Sequence, residues 1–240
     1  MIHGEMKCAP RTRQTLLIDA DDTLWENNIY FERAIADFIS FLNHREFTPA
    51  DVRQVLYEVE RKNIPTHGYG MRSFMHALIG TFERLSVEAL TPGLHDTICG
   101  FAHAIAEHPM ELIEEVEPTL QYLHPRHQLI LMTKGNLTEQ FGKVERSGLR
   151  HYFSAVEIVA EKDSPTYSRV VEKYELAHET TWMIGNSPKS DINPALGAGL
   201  NAIFIPHSDT WVLEHEPLLR PDEADRLMEL SRFSDLRGIF

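Results

Sequence analysis

Five short apolar runs constrain this fold more than any other feature of the chain. Thr15 to Ile18 ends at Asp19, and Leu129 to Met132 ends at Thr133. Ala155 to Ala160 ends near Glu161 and Lys162, Thr181 to Ile184 ends at Gly185, and Ala202 to Ile205 ends at Pro206. Each is too short for a helix and none alternates strictly between apolar and polar residues, which is the pattern of strands buried on both faces of a parallel sheet. Helical patterns separate the later runs: Thr138 to Gly148, with Gly148 as its stop, and Pro165 to His178, where Val170, Val171, Tyr174 and Ala177 form an apolar stripe. Strand and helix in succession predict right-handed crossovers and an α/β fold, a doubly wound parallel sheet with a Rossmann-like core. Ligands of such sheets collect at the carboxyl ends of the strands. Asp19, Thr133, Lys162 and the Gly185-Asn186 pair all fall there.

More than a hundred residues with little strand signal separate the first two runs. Phe31, Ile35, Phe38 and Leu42 step by four, three and four behind Asn27 and Asn28 as caps, so residues 29–45 read as an amphipathic helix. Pro49 to Lys62, Met71 to Leu85 and Leu94 to Glu107 read as three more. With no repeat and no low-complexity tract, the expected organisation is a polar leader over 1–13, a core over 14–28 and 110–240, and an all-helical insertion after the first strand over 29–109, hinged near 25–28 and 109–117.

Composition narrows the partners. Lys and Arg total 23 against 36 Asp and Glu in 240 residues, a formal charge of −13, and no basic run exceeds two residues, which excludes the clustered cations that hold nucleic acid. A small phosphorylated ligand would need a metal or a local basic group to reverse that field. Cys8 and Cys99 are distant and form no CxxC pair, as expected of a reducing, cytoplasmic setting rather than a disulfide scaffold. The leader has no signal-peptide core, and no apolar stretch approaches the ~20 residues of a membrane span. The 13 histidines are scattered without ligand spacing, and Cys99, Trp182 and Trp211 read as packing residues.

Leu16-Leu17-Ile18-Asp19-Ala20-Asp21-Asp22-Thr23-Leu24-Trp25 is the strongest local signal, an apolar strand emptying into three carboxylates within four positions. Crowding of that kind is either a solvated turn, a raised pKa or a cation site. A helix-loop-helix calcium loop does not fit, because the sixth position from Asp19 is Leu24 rather than Gly and the twelfth is Tyr30 rather than Glu.

At this point the chain resembles the haloacid dehalogenase-like superfamily, whose first motif, an apolar strand followed by DxDx[TV], is matched by Asp19, Asp21 and Thr23. Three further motifs follow in order: a strand-end Thr or Ser, here Thr133 before Lys134-Gly135-Asn136; a Lys before a helix, here Lys162; and GDxxxxD, here Gly185-Asn186-Ser-Pro-Lys-Ser-Asp191. Thr133 or Lys162 alone would read as an ordinary strand-end hydroxyl or surface amine; four elements in order, each at a strand end, do not. The resemblance covers about Gln14 to Pro206 and identifies the helical insertion with the family's cap.

What the resemblance implies is a magnesium-dependent phosphomonoester hydrolase acting on a small phosphorylated metabolite. Asp19 would be the nucleophile, needing no deprotonation at neutral pH. Asp21, held partly protonated by its neighbours, would protonate the leaving alcohol and then serve as base toward water. Thr133, Lys134, Gly135, Asn136 and Lys162 would bind the phosphoryl group, and Asp19, Asp21, Asn186 and Asp191 would hold Mg2+. Asn186 departs from the family's usual Asp and removes one charge from that set. The least helical stretch of the insertion, Asn63 to Met71, suggests His67, Tyr69 and Arg72 as contacts to the leaving group, against the alternative of an ordinary connector. Asp21 argues against a dehalogenase, which needs no second carboxylate. A phosphomutase on the same core and a non-catalytic phosphoester-binding protein stay open, while a phosphonate hydrolase would depend on Lys62, the insertion's one lysine.

Overall fold

The computed structural model describes residues 13–43 and 46–240, so the expected polar leader lies, apart from Arg13, outside the described residues. Six strands, β1 (Thr15–Ile18), β2 (Gln128–Lys134), β3 (Ala155–Val159), β4 (Thr181–Gly185), β5 (Asn201–Phe204) and β6 (Leu227–Glu229), form one sheet in the order β3-β2-β1-β4-β5-β6. Every pairing is parallel. The chain lays strands to one side of β1, then returns to build the other side, which makes the ends of β1 and β4 the switch point of the sheet.

Four helices follow β1: α1 (Asn28–Leu42), α2 (Pro49–His67), α3 (Met71–Leu85) and α4 (Pro92–Glu107). They share an apolar cluster of their own, centred on the fully buried Phe38, Leu56, Leu78 and Ile98. Thr48 and Asp51 close a reciprocal capping box at the start of α2, and Thr91 accepts from the Leu94 N–H at the start of α4. Two connections tie this insertion to the sheet and run side by side, with the Glu26 N–H donating to the Glu111 carbonyl at 2.9 Å and the Ile113 N–H to the Leu24 carbonyl at 3.0 Å.

The remaining helices are α5 (Val116–Leu123), α6 (Leu137–Ser147), α7 (Ser164–Tyr174) and α8 (Asn193–Gly197), the last entered through a π-type turn over Pro188–Ile192. Leu16 and Ile18 of β1 face one layer, packed with Val116 and Leu120 of α5, Val144 of α6 and the C-terminal Phe233, Leu236 and Phe240. Leu17 faces the other, with Tyr167 and Val170 of α7 and Ala195 of α8. Burial on both faces explains why these strands read as unbroken apolar runs.

The structure departs from the sequence expectations at several ends. α1 stops at Leu42, where Asn43 turns left-handed at φ 40°, and α7 stops at Tyr174, where Glu175 does the same at φ 51°. α2 runs through Pro65 to His67, because a proline in a last turn forfeits one N–H and little else, so only Gly68, Tyr69 and Gly70 connect α2 to α3. α5 and β6 carried no sequence signal that marked them. Among the described residues no helix is long and apolar enough to cross a membrane.

Candidate active site

Asp19 leaves the end of β1 with its N–H donated to the Ile184 carbonyl of β4 at 2.9 Å, which fixes its side chain over the switch point. Lys162, just before α7, reaches it across the sheet: its Nζ lies 2.5 Å from Asp19 Oδ1 and 2.7 Å from Asp191 Oδ1. All three are buried, Asp191 to 1% exposure and Lys162 to 3%. Burial alone would lower the Lys162 ammonium, but the two carboxylates outweigh it and push it above its ordinary value. Burial pushes Asp19 up, and the Asp191 charge adds to this against the pull of Lys162. One ammonium thus serves two buried carboxylates, leaving a net negative charge at the heart of the site.

The fourth motif closes around this pair. A Cβ at residue 185 would lie 2.2 Å from Asp191 Oδ2, so only glycine lets the Asp191 carboxylate sit against the end of β4. Asp191 Oδ2 also accepts from the Ser187 N–H at 3.0 Å. Asn186 Oδ1 lies 3.3 Å from Thr23 Oγ1, which donates to Asp19 Oδ2 at 2.9 Å, and its Nδ2 donates to Thr210 Oγ1 at 2.9 Å. Asp19, Asp191 and the Asn186 amide oxygen are hard oxygen donors in a region short of positive charge, a donor set that suits a magnesium ion. The Asp21 side chain is not part of it.

Asp21 instead points to α6. Lys143 Nζ sits 2.9 and 2.8 Å from its two oxygens, Gln140 Nε2 donates to Oδ2 at 2.9 Å, and Trp25 Nε1 donates to Oδ1 at 2.7 Å. Burial would raise this carboxyl, but Lys143 and the added hydrogen bonds hold it below its ordinary value. The expectation of a partly protonated Asp21 is therefore corrected: a cation 122 residues away in sequence keeps it ionised. Asp22 differs again. At φ 61° it accepts from the Asn27 and Asn28 N–H groups, and burial pushes its carboxyl up to about 8. Its ligand atom lies within 4.8 Å of those of Glu26 and His207, a grouping not expected from scattered histidines.

The other candidates divide. Thr133 is buried at the end of β2 and, with Lys162, lines a cavity of about 470 Å³ between the strand ends and the helical insertion. Lys134 lines it too, but its Nζ is held by Ser190 Oγ at 2.7 Å and Glu214 Oε1 at 2.6 Å. Gly135 and Asn136 lie outside the lining: the Gly135 N–H donates to the Val159 carbonyl at 2.9 Å, and the Asn136 side chain caps α6. Of the insertion's candidates only Tyr69 reaches the cavity; because α2 continues as helix, His67 stacks in the open on His76 at 4.5 Å, and Arg72 is exposed.

Tyr69 also ties insertion to core. Its hydroxyl donates to Glu161 Oε2 at 2.6 Å, its ring lies 4.2 Å from Lys134 Nζ and meets Trp211 edge-on, and the next turn's Met71 N–H donates to Glu139 Oε2 at 3.0 Å. Sequence reasoning missed Gln140, Lys143, Glu214 and Trp211. Gln140 and Lys143, at i and i+3 of the helix that follows Thr133, were the one pair a helical-face reading could have found.

Comparison with known proteins bears on the family and the fold. A family model described as haloacid dehalogenase-like hydrolase matches residues 14–199. A haloacid dehalogenase-like family hydrolase from Xanthomonas campestris superposes with a TM-score of 0.81 at 32% sequence identity, over 96% of this chain and 92% of that one. The HAD-hydrolase YfnB from Bacillus subtilis, in a structure bound to magnesium, shares the fold at a TM-score of 0.66 and 17% identity, over 94% and 97% of the two chains. A phosphoserine phosphatase from Thermus thermophilus is 28% identical over 117 residues, which is 47% of this chain and 43% of that protein. The alignment therefore spans less than half of that relative. On its sequence match and on its fold, the chain belongs to the haloacid dehalogenase-like hydrolase family.

Proposed function

We propose that the protein is a magnesium-dependent phosphatase that hydrolyses a small phosphomonoester through an aspartyl-phosphate on Asp19. The observation that carries this reading is the buried Asp19-Lys162-Asp191 group beside a second carboxylate, Asp21, in one cavity. The relative named a phosphoserine phosphatase supports phosphorus chemistry over carbon chemistry.

In this reading the Asp19 carboxylate attacks phosphorus and the bond to the ester oxygen breaks, with Lys162 and Thr133 offering charge and hydrogen bonds to the phosphoryl oxygens. The leaving oxygen takes a proton from the hydrogen-bonded Asp21-Lys143 pair. Water then attacks the aspartyl-phosphate and returns a proton to that pair, so both groups end as they began. Asp19, Asp191 and Asn186, with the backbone of Asp21, are the residues that would hold magnesium, which supplies countercharge for the phosphoryl group. The insertion, latched through Tyr69, keeps bulk water from the strand ends and acts as the family's cap.

The test is phosphate release from a panel of phosphorylated sugars, nucleotides and small organic acids. Release that needs magnesium and disappears in Asp19→Asn is expected. No release from any ester, or full activity in Asp19→Asn, would overturn the reading.

A further inference from the structure

The cavity between the strand ends and the insertion holds about 470 Å³, the size of a pocket that encloses most of a small ligand rather than a phosphoryl group alone. Its two halves differ in chemistry. Among the described residues that line it, Glu60 is the one Asp, Glu, Lys or Arg from the insertion; the other charged side chains, Asp19 and Lys162 among them, all belong to the core. Burial pushes the Glu60 carboxyl up to about 7, against a hydrogen bond from the Trp211 side chain, as expected in surroundings of low polarity. The two tyrosines that the insertion brings to the lining donate their hydroxyls elsewhere, Tyr30 to Glu111 at 3.0 Å and Tyr69 to Glu161 at 2.6 Å.

What the insertion presents to the cavity is apolar. Phe31 of α1, Ile64 of α2, Met71 of α3 and Ile105 of α4 all line it, each only partly buried and so with side-chain surface still accessible. Phe31 is braced edge-on by Phe74, with 5.0 Å between ring centres. Ile64 belongs to none of the fold's apolar clusters, so its place on the wall is not a by-product of core packing. We infer that the insertion's half of the cavity binds an apolar leaving group, so that the preferred substrates are phosphomonoesters of alcohols with an aliphatic or aromatic body. The inference rests on the phosphatase reading for the phosphoryl end and on this wall for the other. Hydroxyl or ionic groups set against the wall would exchange water for side chains that offer no hydrogen bond. Each methylene that leaves water there gains about fourfold in affinity.

Binding to Asp19→Asn, which removes the nucleophile, tests this without turnover. Calorimetric titration compares n-alkyl phosphates from methyl to hexyl, and sets the hexyl ester against 5-hydroxypentyl phosphate, in which a hydroxyl replaces the terminal methyl. Affinity should rise about threefold to fourfold per methylene until the cavity is filled, and the hydroxyl-terminated ester should bind about tenfold or more weaker than its isostere. Adding Ile64→Asn, which puts an amide on the wall and leaves the packed clusters intact, should cut the hexyl-to-methyl ratio by about threefold or more. Equal affinity along the series, a hydroxyl-terminated ester as tight as its isostere, a ratio that survives Ile64→Asn, or no binding of any ester overturns the inference. Phosphate release by the wild-type protein that ignores chain length would do so too, with the phosphatase reading intact. Failure of the phosphatase reading is seen separately, as the chain-length preference in binding with no phosphate released by the wild-type protein.

Discussion

Replacing Lys162 with Met tests whether the buried charges are arranged as described. The side chains have similar volume, so packing is kept while the ammonium 2.5 Å from Asp19 and 2.7 Å from Asp191 is lost. Two carboxylates, exposed to only 7% and 1%, are then left without their cation. Breaking a buried pair by removing one partner costs about 3–5 kcal/mol. At a urea dependence of roughly 2–3 kcal/mol per molar, the midpoint in EDTA should fall by about 1–2 M. If the loss arises from unpaired charge rather than from packing, a second change should relieve it. Lys162→Met combined with Asp191→Asn should recover about 1–3 kcal/mol relative to Lys162→Met alone, the range of coupling for side chains in one network. A loss under about 1 kcal/mol, or a double variant no more stable than the single one, would refute this electrostatic reasoning.

Three further outcomes are expected. Glu60 moves from an ordinary 4.5 to about 7 in the folded state, so the fold binds the extra proton and wild-type stability falls as pH rises through that window. Urea unfolding should show Glu60→Gln gaining about 2–3 kcal/mol on wild type between pH 5 and 8, and a constant difference would remove the charge-burial explanation. Asn186→Asp should tighten magnesium binding in a direct titration, because it adds a carboxylate to the oxygen set; unchanged affinity would take Asn186 out of that set. Tyr69→Ala should lower kcat/KM for the preferred ester far more than for a minimal phosphoester, whereas Arg72→Ala should change neither, and the reverse pattern would contradict the placement of the two residues.

The parallel core was legible because each strand is apolar on both faces, and the candidate residues because each polar position falls where such a strand ends. What escaped the sequence depended on distant partners. Leu227-Met228-Glu229 is a strand only because it pairs with β5. α5 (Val116–Leu123) begins where the hinge expected near 109–117 ends, and its helical face is defined by the core layer it meets. Tyr69 is at the cavity while His67 and Arg72 are not, since α2 tolerates Pro65 and carries His67 away. The ionised state of Asp21 depends on Lys143, whose approach follows from the docking of α6 and not from its neighbours in sequence.

The most direct test of the proposed chemistry is rapid quenching of the protein with a turned-over phosphomonoester and magnesium, followed by peptide mass spectrometry. We expect one phosphoryl group on Asp19, appearing before free phosphate reaches its steady rate and absent in Asp19→Asn. Phosphate released at the full rate with Asp19 never modified, or a phosphoryl group carried by another residue, would contradict the assignment of Asp19 as nucleophile.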